Sequence, residues 1–546
     1  MAKTNLEVVH QQKRRPHNAG SFDDQHAIDQ SLTAEIVIAL CGPLGTPLHE
    51  VAKTFKELLE GTDYGYENVS IIRLSNEIRE LAKITDPQSS TKQLIDAGNK
   101  LRLDHGNAYL ARIAIKKVTL AREQLNVDRD TNQQSLFDTG DSDDDNDLKP
   151  IVSIRTCHII DSIKNIDELR LLRSVYGDML HVIGVYTPIE MRIERLSKRI
   201  NRGDSVHKLI DRDSGEEIDH GQQVRDTFPQ SDFFLRADTG TDSQLRTRVK
   251  RFLDLMLGTR IATPTPNERA MYAAFSAARN SACLSRQVGA SLTSADGEVL
   301  AVGWNDVPRP FGGLYESLDS TDSADDDHRC WNLDGGHCFN DEQKDIIADA
   351  VVSRLIEKGI VEDDKRDEAF TLMRHDSQLK GLIEFSRAVH AEMHALLNAG
   401  ATHGAKIRDG KLFVTTYPCH SCARHIVAAG IKEVYFLEPY RKSLATKLHA
   451  DAITEREADS SKVRILPFDG VAPSRFLKFF SAHDDGRKDS VTGKMRPRTA
   501  YPVTAITLEA ITTLEAMAVR SLQFGQPQVA PIPIRATDSD EGPTEA

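Results

Sequence analysis

Cysteine is scarce, at seven in 546 residues, an odd number placed unevenly along the chain. That argues against a disulfide scaffold, so paired cysteines are better read as metal ligands. No stretch approaches the ~18 consecutive apolar residues that a membrane span needs. The opening Met-Ala-Lys-Thr-Asn has no apolar signal core. The expectation is a cytoplasmic protein with no membrane partner. Basic charge is in deficit too, with a formal net charge of -13. A broad nucleic-acid surface needs clustered Lys and Arg. The deficit argues against one, while leaving room for a local basic pocket around a single nucleotide.

What is present is a chain too long for one core. Residues 1–30 are polar and aperiodic and read as a disordered arm. An acidic stretch at 128–149, with Asp141, Asp143, Asp144, Asp145 and Asp147, reads as a solvated loop. A second surrounds Asp325–Asp327, and 524–546 reads as a disordered tail. Two blocks lie between, at 31–258 and 265–510, joined near Thr263-Pro-Thr-Pro266. The first alternates apolar runs (Glu35–Cys41, Val69–Leu74, Ile151–Ile154, Leu180–Val185) with helix-like segments such as His49–Leu59, the pattern of a parallel α/β sheet. The second block predicts a helix over Asn267–Ala282 and a hairpin of Val288–Thr293 with Glu298–Val302 around Ala295-Asp-Gly297. It continues with helices at Asp341–Lys358, Ala391–Asn398 and Cys419–Ala429, and strands at Leu412–Thr416 and Glu433–Leu437.

Two short segments of the second block carry chemistry: Val389-His390-Ala391-Glu392 and Tyr417-Pro418-Cys419-His420-Ser421-Cys422. Catalytic zinc takes three protein ligands and keeps a fourth position for water. His390, Cys419 and Cys422 supply one imidazole and two thiolates. Cys419 and Cys422, three apart, face the same side of one helical turn, and Pro418 suits the entry to that helix. Glu392 lies two positions beyond His390 and is placed to move protons without binding the metal. His394, His420 and His425 read as packing or supporting residues.

His-x-Glu followed by Pro-Cys-x-x-Cys resembles the signature of zinc nucleobase deaminases. Ser285-Arg286-Gln287-Val288-Gly289-Ala290 and Gly303-Trp304-Asn305-Asp306-Val307-Pro308 resemble the deoxycytidylate branch. That resemblance implies a sugar contact for Asn305 and a role for Arg286 in shaping the nucleotide site; an ordinary exposed arginine is the alternative for Arg286. A further cluster, His328, Cys330, His337 and Cys338, offers a candidate second structural zinc centred on Cys330 and Cys338. Cys41, Cys157 and Cys283 read as plain buried small residues.

In the first block, a glycine-containing loop follows the first apolar run: Gly42, Pro43, Leu44, Gly45, Thr46 and Pro47. Such a loop ahead of a helix can cradle phosphate, making an NTP or dNTP a candidate ligand of this domain. A working phosphate loop would read Gly-x-x-x-x-Gly-Lys-Ser/Thr. Here the lysine is missing and Pro47 removes an amide, so phosphoryl transfer is not expected. Arg192, Arg195, Arg199 and Arg202 fall at helical spacing, as a basic lid face or as a solvated amphipathic helix.

Taken together, Ile160-Asp-Ser-Ile-Lys164, Val175-Tyr-Gly177, Gly184-Val-Tyr186, Gly221–Phe228 and the deaminase motifs resemble bacterial anti-phage dCTP deaminases. That resemblance implies an α/β protein: an N-terminal P-loop kinase-like parallel-sheet domain, then a cytidine-deaminase-like three-layer α/β/α domain. It implies zinc-dependent deamination of dCTP, also dCMP, and antiviral defence by depletion of the dCTP pool. It further implies a homo-oligomer and, in some related systems, an inhibitory small RNA. The competing readings are a deaminase of tRNA or single-stranded DNA, a nucleotide-sensing regulator with little catalysis, and an active kinase-deaminase. The negative charge opposes the first, the intact Glu392 the second, and the missing loop lysine the third.

Overall fold

The computed structural model describes most of residues 32–524. Outside the described residues lie 1–31, 86–90, 135–154, 199–205, 207–208, 211–220, 238–241, 318–326, 334, 440–442, 482–486, 490, 497, 499 and 525–546. The expected arm, the run Ile151–Ile154, Arg199, Arg202 and nearly all of the acidic loop and tail therefore fall outside them.

The fold is α/β, with two six-stranded sheets rich in parallel pairs. The first has the order β12-β5-β4-β1-β3-β2. Its strands are β1 (Ile36–Cys41), β2 (Asn68–Arg73), β3 (Thr156–Ile163), β4 (Leu180–Tyr186), β5 (Phe233–Arg236) and β12 (Gly470–Val471). Every residue of β1 and β4 is buried, as expected for central parallel strands covered on both faces. Helix α1 (Leu48–Leu59) packs Val51, Phe55 and Leu59 against one face. Helices α2 (Tyr109–Gln134) and α3 (Ile166–Tyr176) cover the other through Ala114, Val118 and Leu172. Helix α4 (Ile189–Ser197) follows β4.

The second sheet runs β10-β11-β9-β8-β6-β7. It is built from β6 (Gly289–Thr293), β7 (Val299–Trp304), β8 (Lys411–Thr416), β9 (Glu433–Glu438), β10 (Ile453–Thr454) and β11 (Val463–Pro467). β6 pairs antiparallel with β7 and β8, whereas β8, β9, β11 and β10 run parallel. Helices α5 (Pro266–Ala277), α6 (Ala391–Ile407) and α7 (His420–Ala428) pack on it.

Local chemistry explains several boundaries. Thr265 caps α5 in a capping box with Glu268, and Pro266 opens it. That helix ends in a short 3-10 turn at Ala278–Asn280 instead of reaching Ala282, because the Ala282 amide donates to the Asp306 carboxylate. α6 continues to Ile407, well past the expected Asn398. Leu74 opens a helix (Leu74–Leu81) and does not close β2. Residues 128–134, expected in the acidic loop, belong to α2.

Two features join the blocks. β12, beyond the last strand of the second sheet, pairs antiparallel with β5 of the first. Helix α8 (Leu508–Phe524) returns to pack on α2 and α3. There the buried Arg122 guanidinium bonds both Glu35 and Glu515 at 2.5 Å. A buried guanidinium flanked by two carboxylates answers the desolvation of each partner.

Candidate active site

The deaminase-like segments meet at the edge of the second sheet because two helices begin there. His390 is the residue before α6, in extended conformation, and Cys419 stands in the same position before α7. The Cys419 sulfur accepts from the Cys422 amide at 3.4 Å, the hydrogen bond a capping side chain makes. This turn brings Cys422 Sγ to 3.3 Å and Cys419 Sγ to 3.4 Å from His390 Nδ1. All three ligand atoms lie within 4.8 Å of one another. Nitrogen and sulfur donors bound tetrahedrally at Zn–N ≈ 2.0 and Zn–S ≈ 2.3 Å would stand about 3.5 Å apart. The trio therefore has the dimensions of a zinc site with one position open to the pocket.

Close approach between sheet and helix fixes this placement. A Cβ on Gly303 of β7 would lie 2.4 Å from Ala391 O and from Ala395 N of α6. Only glycine lets α6 lie this near the strand.

Electrostatics mark the same spot. The Cys422 thiol and the His390 imidazole both hydrogen-bond the Cys419 sulfur and hold it well below the ordinary thiol range. In return the Cys419 sulfur pushes His390 up to about 9. Cys422 is driven upward by its bond to Cys419 and by burial. A metal entering the trio displaces these protons and takes over their charge balance. Glu392, in the first turn of α6, is 4% exposed, and burial raises its carboxyl above the usual range. A raised carboxyl is suited to passing protons near neutral pH.

One pocket holds His390, Glu392 and Cys419 together with Arg286, Asn305, Arg387 and Tyr417. Asn305 lies on its wall with its amide committed to the backbone. Oδ1 accepts from Val288 N at 2.7 Å and Nδ2 donates to Arg286 O at 2.9 Å. It thereby holds the strand entry that carries Arg286. Arg286 is half-exposed and bonds Glu438 at 3.0 Å.

Three residues escaped sequence reasoning. Arg387 lines the pocket, lies 5.0 Å over the Phe339 ring, and keeps a buried Nη1 without a protein partner. Its place three residues before His390 was the available signal. Tyr417 donates to Glu455 at 2.9 Å, and burial pushes that carboxyl up to about 7. Glu455 sits far along the chain with no motif around it.

The candidate second zinc is not assembled. Among the described residues, His390, Cys419 and Cys422 are the one group of three or more metal-ligating side chains. His328 packs edge-on against Tyr315, and His337 faces Glu342 at 3.5 Å. Cys330 and Cys338 instead line the same pocket as His390 and Glu392. The other histidines lie apart from the ligand trio. His394 accepts from Trp304 N and contacts Asn398, His420 faces Glu384, and His425 bonds Ser421 O. The Gly42–Pro47 loop belongs to the first sheet and takes no part in this pocket.

Residues 264–438 match the family model of the cytidine and deoxycytidylate deaminase zinc-binding region. The chain therefore contains a zinc-binding deaminase region, and the trio and Glu392 fall inside it. "ComE operon protein 2" of Bacillus subtilis is 41% identical over 56 residues, 10% of this chain and 29% of that protein. "Deoxycytidylate deaminase" of Homo sapiens is 40% identical over 48 residues, 9% of this chain and 25% of that protein. The chain thus spans less than a third of the length of these relatives. A "UPF0200 protein" of Saccharolobus islandicus is 20% identical over 223 residues, 40% of this chain and 94% of that protein. Among the described residues, no helix is long and apolar enough to cross a membrane.

Proposed function

We propose that this chain hydrolytically deaminates free deoxycytidine nucleotides, dCTP and dCMP, to the deoxyuridine nucleotides, with His390, Cys419 and Cys422 holding a catalytic zinc. The observation that carries this is the convergence of those three donor atoms within 4.8 Å of one another, with His390, Cys419 and the buried Glu392 lining one pocket. Zinc in such an open site lowers the pKa of water and makes it a nucleophile at neutral pH.

The chain's residues supply the rest. Glu392 accepts a proton from the attacking water and delivers it to the ring nitrogen beside C4. The water oxygen bonds C4; as the C4=O bond forms, Glu392 takes the remaining proton from that oxygen and passes it to the exocyclic amine, whose bond to C4 breaks so that it leaves as ammonia. Burial raises the Glu392 carboxyl above the usual range, the direction that favours taking up a proton from water. Arg286 and Arg387 bring two guanidinium groups to the wall of the pocket, suited to a nucleotide phosphate. The Arg387 Nη1, buried without a protein partner, supports an anionic substrate in particular.

The same reading includes a homo-oligomer and an antiviral role. Conversion of dCTP to dUTP removes a DNA precursor, and phage replication would stall for want of it. A substrate panel tests the chemistry: dCTP, dCMP, CTP, deoxycytidine and a cytosine-containing oligonucleotide, with the uracil product quantified for each. Turnover of dCTP or dCMP is expected. Turnover of the oligonucleotide alone would replace this reading with a nucleic-acid deaminase.

A further inference from the structure

The helix Phe339–Glu357 begins against the segment that leads into α6. Asn340, in its first turn, ties the two together. Its Nδ2 donates to Leu382 O at 3.0 Å and its Oδ1 accepts from Phe385 N at 3.2 Å. Both ends of one amide are thereby used to hold two stretches of chain side by side. Phe339 stands next to Asn340 on one stretch, and Arg387 lies just past Phe385 on the other. The Arg387 guanidinium carbon sits 5.0 Å from the centroid of the Phe339 ring, over its face. The His337 ring packs on Phe339 as well, at 4.3 Å between centroids. Phe339 and Arg387 both line the pocket that holds His390 and Glu392.

Arg387 forms no ion pair among the described residues, and its Nη1 is buried without a hydrogen-bond partner. The acidic side chains of the same segments are engaged elsewhere. Glu384 faces His420 at 3.6 Å, Glu342 faces His337 at 3.5 Å, and Asp341 accepts from Arg374 at 2.9 Å. On the pocket wall, Asp306 accepts from the Ala282 and Val307 amides, and Glu392 is assigned to the proton transfers. A guanidinium stacked on an aromatic face keeps its plane, so its forked donors are set in advance for an anion at its edge. A lysine has no plane to stack.

We propose that Phe339 is a positioning residue for the substrate's phosphate: stapled in place by Asn340 and stacked on Arg387, it presents the guanidinium edge to the phosphate of a deoxycytidine nucleotide. This rests on the deaminase reading above and adds to it the element that sets how tightly the nucleotide is held. That element lies in the stretch between β7 and α6, outside the metal-binding motifs.

Steady-state kinetics of the zinc-loaded full chain with dCMP tests it. Phe339→Leu keeps an apolar helix start and loses the ring face. It should raise KM about threefold to tenfold, the range of a partly desolvated cation–π contact, with a smaller effect on kcat. Arg387→Lys keeps the charge, loses the plane and should raise KM by a similar factor, which keeps the test decisive if Phe339→Leu fails to fold. Phe339→Tyr keeps the ring face and should restore most of the affinity lost in Phe339→Leu. In an Arg387→Ala background, Phe339→Leu should add little, because the two residues act as one unit. Wild-type KM in both Phe339→Leu and Arg387→Lys, a loss confined to kcat, or full additivity in the double variant would overturn the proposal while leaving the deaminase reading intact. Wild type inert toward both dCMP and dCTP would overturn that reading, and this proposal with it.

Discussion

Cys422 Sγ and His390 Nδ1 stand 3.3 Å apart although 32 positions separate them in sequence. No stretch of local structure spans that distance. β8 and the beginnings of α6 and α7 bring them together, and both side chains belong to the metal trio. Replacing Cys422 with Ala should remove one of the metal's anionic ligands while leaving the sheet intact. Zinc content by mass spectrometry should fall to a small fraction of one per chain. The affinity loss should exceed the ~10–100-fold typical of supporting residues around a metal. Far-ultraviolet circular dichroism should change little. Full zinc occupancy in folded Cys422→Ala would remove this cysteine from the ligand set.

Gly303 governs how near α6 lies to the sheet. A methyl there would sit 2.4 Å from two backbone atoms of that helix, so Gly303→Ala must shift α6 and with it His390 and Glu392. Overpacking of this kind costs about 1–3 kcal/mol, and a misplacement of about 1 Å at a catalytic centre costs on the order of 100-fold in rate. Turnover should therefore fall far more than the modest drop in denaturation midpoint suggests. Wild-type turnover in Gly303→Ala would show that the helix position is not set at this contact.

The catalytic motifs were legible because each is local. Cys419 and Cys422 occupy one helical turn, and Glu392 follows His390 within the opening turn of another. The α/β class was legible from apolar runs such as Glu35–Cys41. What was not legible depended on partners far along the chain. β12 is two residues long and carries no period of its own; its pairing with β5 is a tertiary event. α8 holds Glu515, whose partner Arg122 lies on α2. Arg387 and Glu455 acquire significance only through burial beside a pocket, which spacing does not report. Cys330 and Cys338 show the opposite failure, metal-ligating residue types close in sequence that, among the described residues, are not brought together with the neighbouring histidines.

Two buried histidines predict how stability responds to acid. Burial pushes His158 and His181 down to about 4. His158 faces Glu35 and Arg122; His181 faces Asp178, Asp232, Arg475 and Lys478. Above the unfolded value of about 6.5 both states are neutral and nothing is lost. As pH falls below it, the unfolded chain takes up protons that the folded chain refuses, so stability declines until about pH 4. From pH 7 to pH 5 each histidine should contribute a loss of about 2 kcal/mol. Urea denaturation at the two pH values measures it, and His181→Phe should flatten the slope by roughly one histidine's share. A slope unchanged in that variant would contradict the assignment.

Glu392 is proposed to move protons beside a metal it does not hold. Wild type and Glu392→Gln, each brought to one zinc per chain, should be compared for ammonia and uracil nucleotide formed from dCMP and dCTP. Product is expected from wild type, with a loss of about 100-fold to 10,000-fold in Glu392→Gln at equal zinc content. Equal rates in the two proteins, or a zinc-loaded wild type inert toward both nucleotides, would contradict it.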